Sequence, residues 1–305
     1  MKRATTIPEQ IKLLTSRGVK INDNAKAEEN LLDIGYYRLG FYFFPFEKSY
    51  PNIKNRTHDV RENTCFEDAV TLYYFDYDLR NTLSKYISRI EVAFRTYLTY
   101  KLSNKYKGDT CWFVNPSVVE QSFINDFSDK CYKEVKRNNN IKRHHKKYKH
   151  DTYAPAWKTL EHMTLGSVLL LYKSLIKTDD RLLVAKHFGV NQTTIFENYI
   201  ETVRCVRNVC AHSAVLYDVR LHQLVKKGPA GKVAQDEAYS LCGAIKVIAY
   251  LIGTISLNRQ HDFVLELNRA YTTLKNKSIY LTQTVEQITH MKWELSDIAL
   301  LESKK

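Results

Sequence analysis

Residues 83–98 read LSKYISRIEVAFRTYL, and the apolar residues of this stretch recur at steps of three and four. An α-helix has 3.6 residues per turn, so this spacing places them on one face and predicts an amphipathic helix. Upstream, Thr64 and Glu67 have the spacing of a capping box, which predicts that the helix begins there and ends near Lys107. We expect it to be the longest helix and the centre of the core. The inward-facing residues are Leu83, Ile87, Ile90, Phe94 and Leu98.

Glu91 and Arg95 lie four residues apart beside this apolar face. Residues at that spacing are neighbours on a helix surface, and an ion pair between them stabilises the helix by about 0.2–0.5 kcal/mol. A stabilising pair is therefore one interpretation. The other is that Glu91 is an acidic residue of a functional site.

The rest of the chain also has the periodicity and caps of helices. Thr6 and Glu9 form a second capping-box pattern, and a helix is expected from Trp157 to Leu175. No run of useful length alternates with the period of a strand, so we predict an all-α fold in a single domain over 1–305. Its expected parts are an N-terminal aromatic segment within 5–60, a helical core in 64–225 and a C-terminal helical extension in 232–305.

Residues 35–46 read GYYRLGFYFFPF, a dense aromatic segment that ends at a proline and a phenylalanine. A hydrophobic plug for the core is the favoured interpretation, and a surface that stacks on bases is the alternative.

Lys and Arg number 46 against 33 acidic residues, which gives a net charge of +13. Such a charge binds phosphate-rich partners through counterion release, so RNA is the first partner to consider. A membrane is not expected, because the most apolar stretch, Leu241–Leu257, is shorter than a span and contains Lys246. No secretion signal and no Cys-x-x-Cys pair is found, so we expect a cytoplasmic protein without disulfides, metal or cofactor.

The positive charge is densest between Cys131 and Asp151, where only Glu134 opposes it. The asparagines at 138–140 interrupt this run, so we expect an exposed loop or helix end here. A solvated surface and contacts to an RNA backbone are both open interpretations. His144, His145 and His150 lack metal-ligand spacing. The predicted RNA-binding residues are Lys133, Lys136, Arg137, Lys142, Arg143, Lys146, Lys147 and Lys149.

Residues 207–212 read RNVCAH, so Arg207 and His212 are five positions apart. Five residues on an ideal helix turn by about 140°, and the two side chains can share a face only if the helix ends or bends near Ala211. We therefore expect a site at a helix terminus. Alternatively, His212 of one protomer completes the Arg207 of another.

These residue types suit metal-independent RNA cleavage. A histidine can remove the proton of a ribose 2′-hydroxyl, and an arginine can stabilise the pentavalent phosphorus that forms. Asn208 is expected to orient His212 or to hold a phosphate oxygen. General base and general acid need two histidines or a water molecule, which favours a two-fold dimer. Arg181 and His187 have a similar spacing, which we interpret as a structural helix end.

The segment from Arg207 to His212, followed by Leu216-Tyr217-Asp218, resembles the Arg-Asn-x-Cys-Ala-His signature of bacterial abortive-infection proteins of the AbiD/AbiF type. Their fold is a helical bundle of the HEPN kind. Further segments resemble that family in the same order, and the resemblance thins out beyond residue 225. These segments are Ile34–Leu39, Asp78–Arg80, Arg89–Arg95, Trp157–Glu161 and Thr164–Gly166.

The resemblance implies a phage-defence or toxin-like HEPN endoribonuclease, dimeric, with Arg207 and His212 at the catalytic positions. Relatives are kept silent until infection, and an association with a small non-coding RNA is implied. This chain has Ser213 and Val215 where many relatives have a second histidine and an arginine. An auxiliary contact is then absent or supplied elsewhere. The competing hypothesis is a non-catalytic RNA-binding or scaffolding module in which the same residues hold a phosphate.

Overall fold

The structure is a computed structural model that describes residues 3–231 and 234–291, and within these ranges the regular elements are helices and no strand is formed. The predicted all-α fold is therefore confirmed. The helices are α1 Ile7–Ser16, α2 Asn24–Asp33, α3 Tyr36–Phe43, α4 Phe66–Lys105, α5 Gln121–Asp126, α6 Lys133–Val135, α7 Asn139–Lys147, α8 Ala156–Thr159, α9 Leu165–Lys173, α10 Thr178–His187, α11 Thr193–Ala211, α12 Leu241–Ile255, α13 Leu257–Lys277 and α14 Ile279–Thr289.

Helix α4 is 40 residues long and forms the centre of the protein. Helices α3, α11, α12 and α13 pack around it. The five apolar residues predicted to face inwards from 83–98 are all buried. The spacing of apolar residues in one stretch thus correctly identified the central helix.

The start of α4 differs by one residue from the predicted capping box. The backbone N–H of Cys65 donates to Asp68 Oδ2 at 2.8 Å, and α4 begins at Phe66. The Thr64 hydroxyl instead donates to the carbonyl of Arg61 at 2.8 Å. Thr64 is therefore used by the preceding turn, and the cap passes to the next residue. At α1 the predicted capping box is present.

The aromatic segment at 35–46 is mostly core. Leu39, Tyr42 and Phe46 are fully buried, which agrees with the hydrophobic-plug interpretation. Tyr37 is an exception, because 81% of it is exposed. Its ring contacts Phe41 edge to face, with 5.2 Å between the centroids. Part of this segment therefore remains available at the surface.

The basic segment forms a helix where a loop was one of the two expectations. Asn138 Oδ1 accepts a hydrogen bond from the backbone N–H of Asn140 at 2.8 Å, so the asparagines begin α7 rather than interrupt it. Ile141 and His144 are buried and attach one face of α7 to the protein. These two buried positions could not be recognised among the many charged residues of the segment. The cations of α7 are exposed to solvent.

The helix expected from Trp157 to Leu175 is broken into α8, a short 3-10 turn and α9. The break occurs because Thr164 caps a new helix, and its hydroxyl accepts from the backbone N–H of Ser167 at 3.2 Å. Consequently Trp157 lies on a separate short helix beside α7.

The C-terminal part described by the structure consists of α12, α13 and α14. The apolar helix α12 is buried, and its Lys246 pairs with Glu237 at 2.8 Å. Both α12 and α13 pack against α4. Residues 232–233 and 292–305 of the predicted extension lie outside the described residues. No helix in 3–231 or 234–291 combines the length and the apolar character needed to cross a membrane.

Candidate active site

The candidate site lies where α4 and α11 pack side by side in opposite directions. Asp76, near the start of α4, contacts the backbone of Tyr217, which follows α11. Glu91, further along α4, contacts Arg207 within α11. Polar residues recur at helical steps on the side of α4 that makes these contacts. They are Asp76, Arg80, Ser84, Glu91 and Arg95.

Helix α11 ends at Ala211 with His212 as its C-cap residue, as the spacing of Arg207 and His212 predicts. The backbone N–H of His212 donates to the carbonyl of Asn208 at 3.1 Å. Ser213 follows with a φ of 51°, in the left-handed region, and the chain turns back. His212 is exposed, and within the described part of the chain its ring has no hydrogen bond, ion pair or ring contact. Both ring nitrogens are therefore available to a ligand.

Arg207 lies on the last turns of α11, and its side chain is 41% exposed. Its Nε is 3.9 Å from Glu91 Oε2, and its Nη1 is 3.5 Å from the Asn208 side-chain oxygen. Both distances are long for hydrogen bonds. These long contacts leave most of the guanidinium donors without a partner in the described part of the chain.

Glu91 connects two guanidinium groups. Its Oε1 accepts from Arg95 Nη2 at 2.8 Å, and the same nitrogen donates to the carbonyl of Met163 at 3.1 Å. The predicted ion pair along the helix is therefore present. The structure also places Glu91 beside Arg207, while its role as a site acid stays a prediction.

The loop after His212 is held by a buried carboxylate. Asp76 accepts hydrogen bonds from the backbone N–H groups of Leu216, at 3.1 Å, and Tyr217, at 2.7 Å. The Tyr42 hydroxyl donates to it at 2.8 Å, and Arg80 forms an ion pair with it. Burial raises the pKa of Asp76 to about 6, although these partners favour the ionised form. This network fixes the backbone that leaves the motif.

Sequence reasoning missed the network around Asp76. The signal was the four-residue spacing of Asp76 and Arg80 on α4, which repeats that of Glu91 and Arg95. A charged pair four residues apart occurs on many exposed helices. Only the fold places Asp76 against the backbone of Tyr217, which is remote in sequence.

The aromatic segment also reaches the motif. Arg38 Nη1 donates to the carbonyl of Ser213 at 2.6 Å, directly after His212. The segment therefore contributes both core packing and a contact at the candidate site.

Cys210, inside the motif, faces the core. Burial raises the pKa of its thiol to about 11, and the Ser84 hydroxyl contacts it. A thiol with so high a pKa is protonated at neutral pH and is a poor nucleophile. Cys210 therefore helps to pack α11 on α4.

The eight predicted RNA-binding residues are all exposed and belong to α6, the turn after it, α7 and the turn that follows. Arg137 pairs with Glu134 at 2.6 Å. Their binding of RNA stays a prediction. Within the described ranges, no group of three or more His, Cys, Asp or Glu side chains is arranged to hold a metal ion.

Comparison with known proteins gives one match. The model of the family described as Abi-like protein matches residues 29–218, which is more than half of the chain and includes α4 and α11. The match ends directly after the loop that Asp76 holds. No curated protein and no solved structure matches the chain.

Proposed function

The chain belongs to the Abi-like protein family, and from this premise we propose that it is an abortive-infection protein of phage defence that cleaves RNA without a metal ion. The observation that carries the proposal is the end of α11, where His212 and Arg207 are both accessible to solvent. The loop that follows them is fixed by Asp76. An exposed reactive side chain on a fixed backbone is what catalysis by positioning requires.

The proposed reaction begins at a ribose 2′-hydroxyl. His212 removes its proton, and the oxygen attacks the adjacent phosphorus. The bond to the 5′-oxygen of the next nucleotide breaks, and this oxygen takes a proton from the protonated His212 of a second copy of the chain. The products are a 2′,3′-cyclic phosphate and a 5′-hydroxyl. DNA lacks the attacking group and is not a substrate.

Arg207 is proposed to stabilise the negative charge that develops on the phosphate oxygens. A guanidinium group has five N–H donors in a planar fork that matches phosphate oxygens. Glu91 Oε2 is 3.9 Å from Arg207 Nε, which is close enough to orient Arg207. Glu91 is therefore a positioning residue in this proposal, and Asn208 is a candidate phosphate ligand.

The second histidine is proposed to come from a second copy of the chain. One motif offers one imidazole, whereas proton removal and proton delivery are two tasks. A two-fold axis beside α11 would bring two copies of Arg207 and His212 to one phosphate. The resemblance to AbiD/AbiF and HEPN proteins supports this arrangement and also implies control by a bound non-coding RNA.

The decisive experiment incubates the purified protein with end-labelled cellular RNA in the presence of EDTA. We expect cleavage that His212→Ala abolishes, with cyclic-phosphate ends. The matched control is His187→Ala, the same substitution at the end of α10. Products with 3′-hydroxyl ends, or equal cleavage by both variants, would contradict the mechanism.

A non-catalytic RNA-binding or scaffolding module is the second candidate function. The observation that favours it is the exposed row of cations on and around α7. In that case RNA stays intact, and binding weakens steeply with salt. Sequencing of the RNA that co-purifies with the protein would identify a regulatory RNA under either function.

A further inference from the structure

A cleft of about 560 Å³ lies between α7 and α8. Its lining combines aromatic and basic side chains. Its lining includes Arg143, Lys147, Tyr148, Trp157, Lys158 and Glu161.

The two aromatic residues of the cleft are unusually exposed. Trp157 is 52% exposed and Tyr148 is 45% exposed, whereas Trp112 is fully buried. Exposure of rings of this size to water is unfavourable, and a ligand that covers them gains free energy by burying their apolar surface. A nucleobase is a flat partner that stacks on such rings whatever its sequence. A base within a duplex is stacked on its neighbours, so the ligand must have unpaired bases.

The cations of the cleft are not neutralised within the described chain. The ion pair of this region joins Arg137 to Glu134, and no ion pair among the described residues involves Arg143, Lys147 or Lys158. Glu161 lines the cleft and is exposed. Three cations against one carboxylate leave a net positive cleft that favours a phosphate.

His144 holds Lys158 in place. The Lys158 ammonium can only donate, so its approach to His144 Nδ1 at 3.3 Å makes that nitrogen the acceptor. The proton of His144 is then on Nε2, which donates to Asp151 at 3.0 Å. Since His144 is buried, the series of hydrogen bonds from Asp151 through His144 positions Lys158 at the cleft.

The cleft is connected to the candidate active site. Glu161 and His162 line it, and the next residue is Met163. The carbonyl of Met163 accepts from Arg95, and Arg95 pairs with Glu91, which faces Arg207. A strand that occupies the cleft therefore lies beside the segment that supports Arg207.

We propose that this cleft binds an unpaired nucleotide of an RNA strand, with its base stacked on Trp157 and Tyr148 and its phosphate on Lys158 and Arg143. The proposal deepens the proposed function and rests on it, because it identifies single-stranded RNA as the substrate class. The strand enters at the cleft and reaches Arg207 further along.

The test measures binding in a His212→Ala background, so that RNA remains uncut. Fluorescence anisotropy with a short single-stranded RNA is expected to show a loss of about tenfold in affinity for Trp157→Ala and for Tyr148→Ala, the size of one lost stacked base. Trp157→Phe keeps a ring and should restore affinity. Tyr100→Ala removes an exposed ring of α4 and is the matched control. A duplex of the same sequence should bind all variants equally.

The phosphate contact has its own readout. Lys158→Gln should lower the slope of log affinity against log salt by about 0.7, the value for one phosphate on a single strand. Lys12→Gln makes the same charge change on α1 and should leave the slope unchanged. Tryptophan emission should fall on RNA binding in the parent and not in Trp157→Phe.

Equal affinity of Trp157→Ala and the parent would overturn the cleft proposal, as would AMP binding as tightly as the strand. Neither result depends on cleavage. If the native chain cuts no RNA while Trp157→Ala still weakens binding, the nuclease proposal fails and the cleft stands. If cleavage requires His212, but Trp157→Ala made in the native chain binds and cuts RNA like the native chain, the cleft proposal fails alone.

Discussion

Helices α10 and α11 both carry an arginine and have a histidine at the C-terminal end, as the last residue of α10 and as the C-cap residue of α11. The surroundings of the two histidines differ. In α10, the His187 ring stacks on Tyr97 with 3.5 Å between centroids, and Arg181 lies 3.5 Å from Glu197. In α11, the ring of His212 has no partner within the described chain. Similar spacing thus gives one histidine whose ring is used in packing and one whose ring is exposed.

The comparison shows that the spacing of two residue types does not define a site. The two helix ends differ in whether the histidine ring already contacts another side chain of the described chain. At the end of α10, the ring of Tyr97 stacks on that of His187. Around α11 the fold instead holds the backbone, through Asp76 and Arg38, and leaves the His212 side chain uncovered.

The largest expected effect is on catalysis. His212→Ala should lower the rate of RNA cleavage by about 10³-fold or more, since general acid–base catalysis contributes about 10²–10⁴-fold. His187→Ala should change it by no more than about twofold. Single-turnover cleavage assays on both variants measure the contrast, and similar losses would remove the distinction between the two helix ends.

The next effect is on stability. Asp76→Ala leaves the buried Arg80 without its carboxylate partner and removes the acceptor of two backbone N–H groups. We expect a decrease in the free energy of unfolding of about 3–5 kcal/mol, measured by urea denaturation. Asp78→Ala, at an exposed position two residues away, should cost less than about 0.5 kcal/mol. A tolerant Asp76 would mean that the loop is held by other contacts.

A smaller effect is expected for the arginine. Arg207→Ala should reduce the cleavage rate by about 10²-fold, the loss typical of one charge-stabilising group. Arg181→Ala is the corresponding change on α10 and should leave the rate per folded molecule unchanged. If Glu91 orients Arg207, Glu91→Gln should produce a partial loss with unchanged RNA affinity.

The smallest effect concerns pH. Burial, and then repulsion from Lys101, lowers the pKa of His187 from its ordinary value of 6.5. Below about pH 6.5 the unfolded chain therefore binds more protons than the folded chain, so the stability contributed by His187 is present above this pH and is lost as the pH falls. His187→Phe keeps the ring and cannot titrate. Between about pH 7 and pH 5 its denaturation midpoint should fall less than that of the native chain.

The sequence was sufficient where the cause of structure is local. The apolar spacing around Ile90 predicted α4, and the spacing of Arg207 and His212 predicted a helix end at Ala211. It was insufficient where partners are remote in the chain, as for Asp76 with Tyr217. The cap at Asn138 was local, but the asparagines at 138–140 indicated an interruption of the basic run rather than the start of a helix. The position of Trp157 in the cleft also depends on the helix break before Thr164, which the spacing of apolar residues does not reveal.

Because α4 is one continuous helix, the number of residues between two of its side chains fixes their relative directions around the helix axis. Asp76 and Glu91 lie roughly 22 Å apart on this one helix, and the 15-residue step between them leaves their side chains only about 60° apart around its axis. Inserting one alanine between Ser84 and Glu91 would rotate one half by about 100° relative to the other. Either Asp76, which holds the loop after α11, or Glu91, which contacts Arg207, would then point away from α11, although every side chain would still be present.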